Sequence, residues 1–206
     1  MMGLPTETKE DIEGVVDLAQ KVVDLFYSLP DKPKGKGVNV TVSLACFVPK
    51  PFTPFQWEQQ ISSDEYLRRV HLLQSCLTAR GVDYRYHESD LSRLEAVLAR
   101  GDRRLSRVLL RAHELGCKLD GWDEYFRYDL WLQAFSDCGV DPDFYTTRGF
   151  AEDEILPWQT MDVGVSRAFF LRERALAYQS VTTPDCRTKC AGCGARALSE
   201  RGVCDE

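Results

Sequence analysis

No apolar stretch in this chain approaches the ~20 residues that a helix needs to cross a bilayer. The N-terminus also lacks the pattern of a signal peptide. A cytoplasmic protein with no membrane partner is therefore expected. Positive charge is in short supply, with 26 Lys and Arg against 32 Asp and Glu and a formal net charge of -6. That balance excludes a general attraction to nucleic acid or to anionic lipid. Histidine is scarce, and His71, His87 and His113 are isolated from one another. No HExxH pair, hydrolase triad or phosphate-binding glycine loop can be written from these residues. Internal repeats and low-complexity segments are missing too, which sets aside repeat architectures.

What remains is an ordinary globular composition. Hydrophobic residues make up 44% and charged residues 28% of 206 positions, enough for one domain or one domain with an extension. Eight cysteines in such a chain are expected to be reduced or metal-bound, not paired as disulfides. The organising stretch is the β-branched run 38–46 (VNVTVSLAC) leading into FVPKPFTPFQW, where Pro49, Pro51 and Pro54 crowd together. Proline removes a backbone donor and fixes φ, so neither a central strand nor a helix continues past this point. A strand that ends in a rigid loop carrying Phe47, Phe52, Phe55 and Trp57 presents a ligand-facing rim in α/β sheets. A hydrophobic turn packed over a helix end reads the same way, and the spacing does not choose between them.

Around this stretch the elements alternate. Gly3 and Pro5 set a turn, and Thr8 with Asp11 forms a capping box. A helix then runs to Leu29-Pro30 on Ile12, Val15, Val16, Ala19, Val22, Val23 and Phe26. After the proline loop, Ser62 and Glu65 cap a second helix, which reaches about Arg80 on Tyr66, Val70, Leu73 and Leu77 before Gly81. Val82–His87 alternates and reads as a short, half-exposed strand. Repeated α-then-β units are the material of a parallel sheet.

Two of these stretches carry a resemblance. GLPTET opening a helix, and a strand ending in FVPKPFTPFQW, resemble the last part of a radical S-adenosylmethionine (SAM) barrel. There a GxPGET-like turn follows the fifth strand and a proline-rich loop follows the sixth. LEAVLARGDRR, DGWDEYF, DPDFY, LPW and TPDCRTKCAGCG narrow the match. They are similar to the C-terminal half of a largely uncharacterised radical SAM family whose full-length members carry a cobalamin-binding-type N-terminal domain.

The resemblance implies an α/β fold. A partial (βα) barrel would span 1–88, a mainly α-helical extension 89–180 and a Cys-rich tail 181–206. It implies that Gly3 and the strand end Phe47, Val48 and Pro49 line the SAM side of the wall. The early CxxxCxxC that holds a 4Fe–4S cluster in this family is not in these residues. The partner implied is then a missing N-terminal barrel half or a split partner chain, which would hold the cluster and cleave SAM. Strand 38–46 is expected to lack neighbours on one side and to be weakly stable alone.

The remaining chain reads as helical. Leu91, Leu94 and Leu98 mark one helix, and Asp102 is placed to cap the next, on Leu105, Val108, Leu109 and Ala112. Arg93, Arg100, Arg103, Arg104, Arg107 and Arg111 make this hairpin basic. Phosphate or RNA contact is one reading. A solvated face with acidic partners is the preferred one, because no stacking aromatics are interleaved. Tyr128, Trp131 and Phe135 share a helix face, and core packing is the preferred reading of the aromatics in 118–145. Asp120, Asp123 and Glu124 are candidate acid–base groups, or simply solvated carboxylates. A last helix is expected on Val165, Phe169, Arg172 and Leu176.

The tail holds Cys186, Cys190 and Cys193 at CxxxCxxC spacing, with Cys204 as a fourth thiol. Four thiolates suit zinc or an auxiliary iron–sulfur cluster, and reduced cysteines in a mobile tail are the alternative. A SAM-cleaving cluster would have to face a barrel mouth, and no strand–helix units follow residue 193. Two functions stay open. One is the C-terminal part of a radical SAM enzyme. The other is a non-catalytic metal- or RNA-binding module that uses the cysteines and the arginine hairpin.

Overall fold

A computed structural model describes residues 1–33, 35–77 and 80–195. The chain is mixed α/β, with six α-helices and a small parallel sheet among the described residues. It divides into two compact units, 1–48 with 60–95 and 49–59 with 96–206.

In the first unit, α1 (Lys9–Ser28) starts at a Thr8–Asp11 capping box in which both reciprocal bonds are made. Helix α2 (Ser63–Cys76) starts at Ser62, whose hydroxyl accepts from the Glu65 amide. Only half of the expected box forms there, because the Glu65 carboxylate is taken by Arg68 and Arg69. The helix also stops short of the expected Arg80. Strand β1 (Val40–Leu44) lies parallel to β2 (Val82–Tyr86), with Val40 opposite Val82 and Leu44 opposite Tyr86. Met2 pairs in parallel with Cys46.

The hydrogen bonds place β2 and Met2 on opposite sides of β1. Val40 N donates to Gly81 O, and Leu44 O accepts from His87 N. On the other side Ala45 O accepts from Met2 N, and Phe47 N donates to Met2 O. Consecutive segments of chain are thus neighbours, each linked to the next by a helix.

The sheet is covered on one face. Met2, Leu44 and Cys46 pack with Ile12 of α1 and with Tyr66, Val70 and Leu73 of α2. The opposite face presents Thr41, Ser43, Asp83 and Arg85, all exposed. The buried strand expected over 38–46 is therefore shorter and one-sided. Its alternation, with Thr41 and Ser43 out and Leu44 in, was masked by β-branched composition, which suits either a buried or a half-covered strand.

The division between the units falls within α3 (Ser89–Arg100). In the second unit α4 (Leu105–Leu115) ends at Gly116. It packs on α5 (Tyr128–Asp137), burying Leu105, Val108 and Ala112 with Trp131, Ala134 and Phe135. A 3₁₀ turn at Pro142–Phe144 leads to α6 (Arg167–Tyr178), capped by the Ser166 hydroxyl on Phe169 N. The second core gathers Trp57 from the proline loop with Phe150, Leu156, Trp158 and Phe170. Phe170 is the buried residue of α6, so the helix face is rotated by about one residue from the expected Phe169 stripe. Among the described residues no helix is long and apolar enough to cross a membrane.

Candidate functional site

The proline loop folds into the second unit and builds one wall of a cleft there. The cleft has a volume of about 260 Å³ and is flanked by Phe52, Trp57, Trp158 and Phe170. Gln56 organises this wall. Its Oε1 accepts from Trp158 Nε1 at 2.7 Å and from Phe52 N at 3.2 Å. The residue as a whole is 4% exposed. Trp57 is only 2% exposed, and its buried Nε1 has no acceptor. Arg167, at the start of α6, lies 5.8 Å from the centre of the Trp57 ring. The sequence left this loop open between a ligand-facing rim and a hydrophobic turn packed over a helix end. The opposite wall, Leu156 to Phe170, stood out in the sequence only through LPW and the start of the last helix, neither of which marked a site.

The tail is anchored beside the same segment of the second unit. Cys193 O accepts from Ser166 N at 2.8 Å, and Arg172 donates to the Ala191 carbonyl. Gly194 has φ +96, and a side chain there would meet Gly164 O at 3.1 Å. Both the conformation and the close approach therefore call for glycine. Two sulfurs accept backbone N–H bonds, Cys190 Sγ from Gly192 N and Cys193 Sγ from Ala195 N, each at 3.4 Å. Each bond closes a local turn at its cysteine, and the two turns make a two-cysteine knuckle of the kind soft metals use. Cys186 is exposed. No group of three or more His, Cys, Asp or Glu is gathered for a metal among the described residues. Cys204 lies outside the described residues. The described tail cysteines therefore do not make a four-thiolate site.

The residues expected on the SAM side of a barrel fold inward. Gly3 N donates to Glu7 Oε2 at 2.9 Å, and Arg69 Nη1 donates to the other Glu7 oxygen at 2.6 Å. Ile61 fills the space where a side chain of Gly3 would stand, 2.6 Å away. Phe47 N is taken by Met2 O. Phe47, Val48 and Pro49 are all buried. By themselves these residues do not fit SAM, and no chemical step is assigned through it.

The other candidates resolve into structure. Arg100 is fully buried. Arg104 pairs with Asp102, and Arg111 with Asp137 and Glu114. Asp102 does not cap α4 directly. It accepts from Arg104 N instead, and its carboxylate is held below the usual range first by the Arg104 side chain. Asp120 accepts from Trp131 Nε1 at 3.3 Å, and Asp123 and Glu124 are exposed. Trp122 and Tyr125 stand out in solvent, against the core reading of the aromatics.

An uncharacterized protein of Methanocaldococcus jannaschii, MJ0966, is 29% identical over 140 residues, a match covering 68% of this chain and 29% of the relative. The chain therefore spans less than a third of that protein's length. No family model matches, and no solved structure matches.

Proposed function

We propose that this chain is the closing βα arc of a radical SAM barrel with a helical substrate-side unit. The iron–sulfur cluster and SAM cleavage would reside in polypeptide outside these 206 residues. The observation that carries the reading is the strand order. Met2, β1 and β2 are parallel neighbours in chain order, joined through α1 and α2, which is the repeating unit of a βα barrel.

Two open surfaces in the first unit support it. Beyond Ala45 and Phe47, the β1 edge facing Met2 makes no backbone hydrogen bond among the described residues. On α1, Leu18, Val22 and Leu25 form an exposed apolar stripe at helical spacing, continued by Leu29 at its C-cap, as a helix does when a neighbour belongs beside it. The uncovered polar face of the sheet would look into the barrel. This chain's own contribution is the wall and its support.

A second reading, a metal–thiolate module, is favoured by the knuckle at Cys190 and Cys193, whose sulfurs already accept backbone amides. RNA contact through the arginine hairpin would rest on Arg103 and Arg107. Both are exposed, and neither makes an ion pair among the described residues.

One experiment separates the readings. A longer polypeptide that includes an upstream CxxxCxxC is reconstituted anaerobically with iron and sulfide, reduced, and given SAM. Release of 5′-deoxyadenosine is expected from it and not from the 206-residue chain. If no upstream reading frame encodes the motif, and the chain alone takes up zinc through Cys190 and Cys193, the module reading replaces the barrel.

A further inference from the structure

The cleft of the second unit combines three features that ordinary packing does not require together. Its walls are aromatic, from Phe52, Trp57, Trp158 and Phe170. One buried polar atom of its wall is a donor left over, Trp57 Nε1, which has no acceptor. Gln56 accepts through Oε1 from Phe52 N and Trp158 Nε1, which turns its amide N–H groups away from those two partners. Its cation is uncommitted. Arg167 lines the cleft and makes no ion pair among the described residues, lying instead against the Trp57 ring.

A buried donor without an acceptor costs free energy that a bound group can recover. Donors and a guanidinium around an apolar slot select a ligand with a flat apolar body and an acceptor-rich, negatively charged end. Asp162 also lines the cleft, but its Oδ1 accepts from Gly164 N at 2.7 Å, so part of that carboxylate is spent on its own turn.

We propose that this cleft binds a small aromatic carboxylate. The ring would sit against the aromatic walls and the carboxylate would be received by Arg167 and the Gln56 amide. The inference rests on the second unit alone and stands whether or not the barrel reading holds.

The test uses the full chain labelled with ¹⁵N, following the indole N–H signals while titrating 3-phenylpropionate and indole-3-acetate. The alcohol 3-phenylpropanol and propionate serve as controls for the charge and the ring. Saturable shifts of the Trp57 and Trp158 signals are expected with both carboxylates. The alcohol and propionate should each bind about tenfold more weakly or worse.

Arg167→Met, at an exposed position, should bring the carboxylate down to the affinity of the alcohol while leaving the alcohol unchanged. Gln56→Glu keeps the oxygen that holds Trp158 and Phe52 but exchanges the amide donor for a negative charge. It should abolish carboxylate binding, with the tryptophan signals of the free protein still dispersed. Absence of saturable shifts with both carboxylates overturns the proposal. So does equal binding of acid and alcohol, or an Arg167→Met variant that binds the acid as well as the parent.

Discussion

Cys46 shows how far a single environment can move a group. It is 8% exposed, under the helices of the first unit. Burial pushes its thiol from 9.0 up to about 11, opposed only in part by the bond from the Gln60 amide. Tyr66 in the same cluster is pushed from 10.0 to about 12, again first by burial. Both shifts favour the protonated form in the folded state. The stability they contribute is present below the unfolded values and is lost as pH rises through the folded ones, at about 1.4 kcal/mol per unit. The urea midpoint of the first unit, followed by circular dichroism, should therefore fall between pH 9 and pH 11. Cys46→Ala should show a smaller fall, and an equal fall would contradict the assignment. No partner motif accompanies Cys46 in the sequence. The depth of its burial was not legible, since that comes from α2, a separate element.

At the scale of elements, local chemistry read well and tertiary chemistry did not. Thr8, Ser62 and Gly116 end their helices as their types require, because a cap is made by residues a few positions apart. Arg100 is the counterexample. Grouped by sequence with surface arginines, it closes α3 fully buried. It donates to Thr146 O at 3.2 Å and to Arg148 O at 3.4 Å, partners more than forty residues away, and it stacks 4.2 Å from the Phe150 ring centre.

Burial, and then the charge of Arg148, lowers the Arg100 pKa to about 10. The group stays charged at neutral pH and clamps the 146–150 segment to the end of α3. Arg100→Lys keeps a buried charge without the planar fork and should cost about 3 kcal/mol. Arg100→Met leaves two carbonyls unpaired but buries no charge and should cost about 1–2 kcal/mol. Chemical denaturation of the two variants checks the order, and a Lys variant as stable as the parent would remove the clamp. The same blindness explains α3's apolar face. Leu98 is exposed while Ala96 and Val97 are buried, because the packing partners choose the face and the leucine spacing only suggests it.

At the scale of the whole molecule, alternation of helix and strand made the α/β class and the parallel pairing legible. The one-sided covering of the sheet was not, because the strand composition suits either case. The proline loop was correctly read as a place where the sheet ends. Its membership in the second unit depends on Gln56, Trp57 and Trp158 meeting across about a hundred residues of chain. Everything proposed for the first unit turns on its open edge. Val40, Val42 and Leu44 pair with β2, whereas the amides of Thr41 and Ser43 face the side that Met2 touches only at Ala45 and Phe47.

Amide hydrogen exchange read residue by residue tests this most directly. In the 206-residue chain, Val42 and Leu44 should be protected while Thr41 and Ser43 exchange at the rate of open backbone. In a polypeptide extended upstream of Met1, Thr41 and Ser43 should become as protected as their neighbours. Protection of Thr41 and Ser43 in the 206-residue chain, or its absence in the longer one, would contradict the closing-arc account.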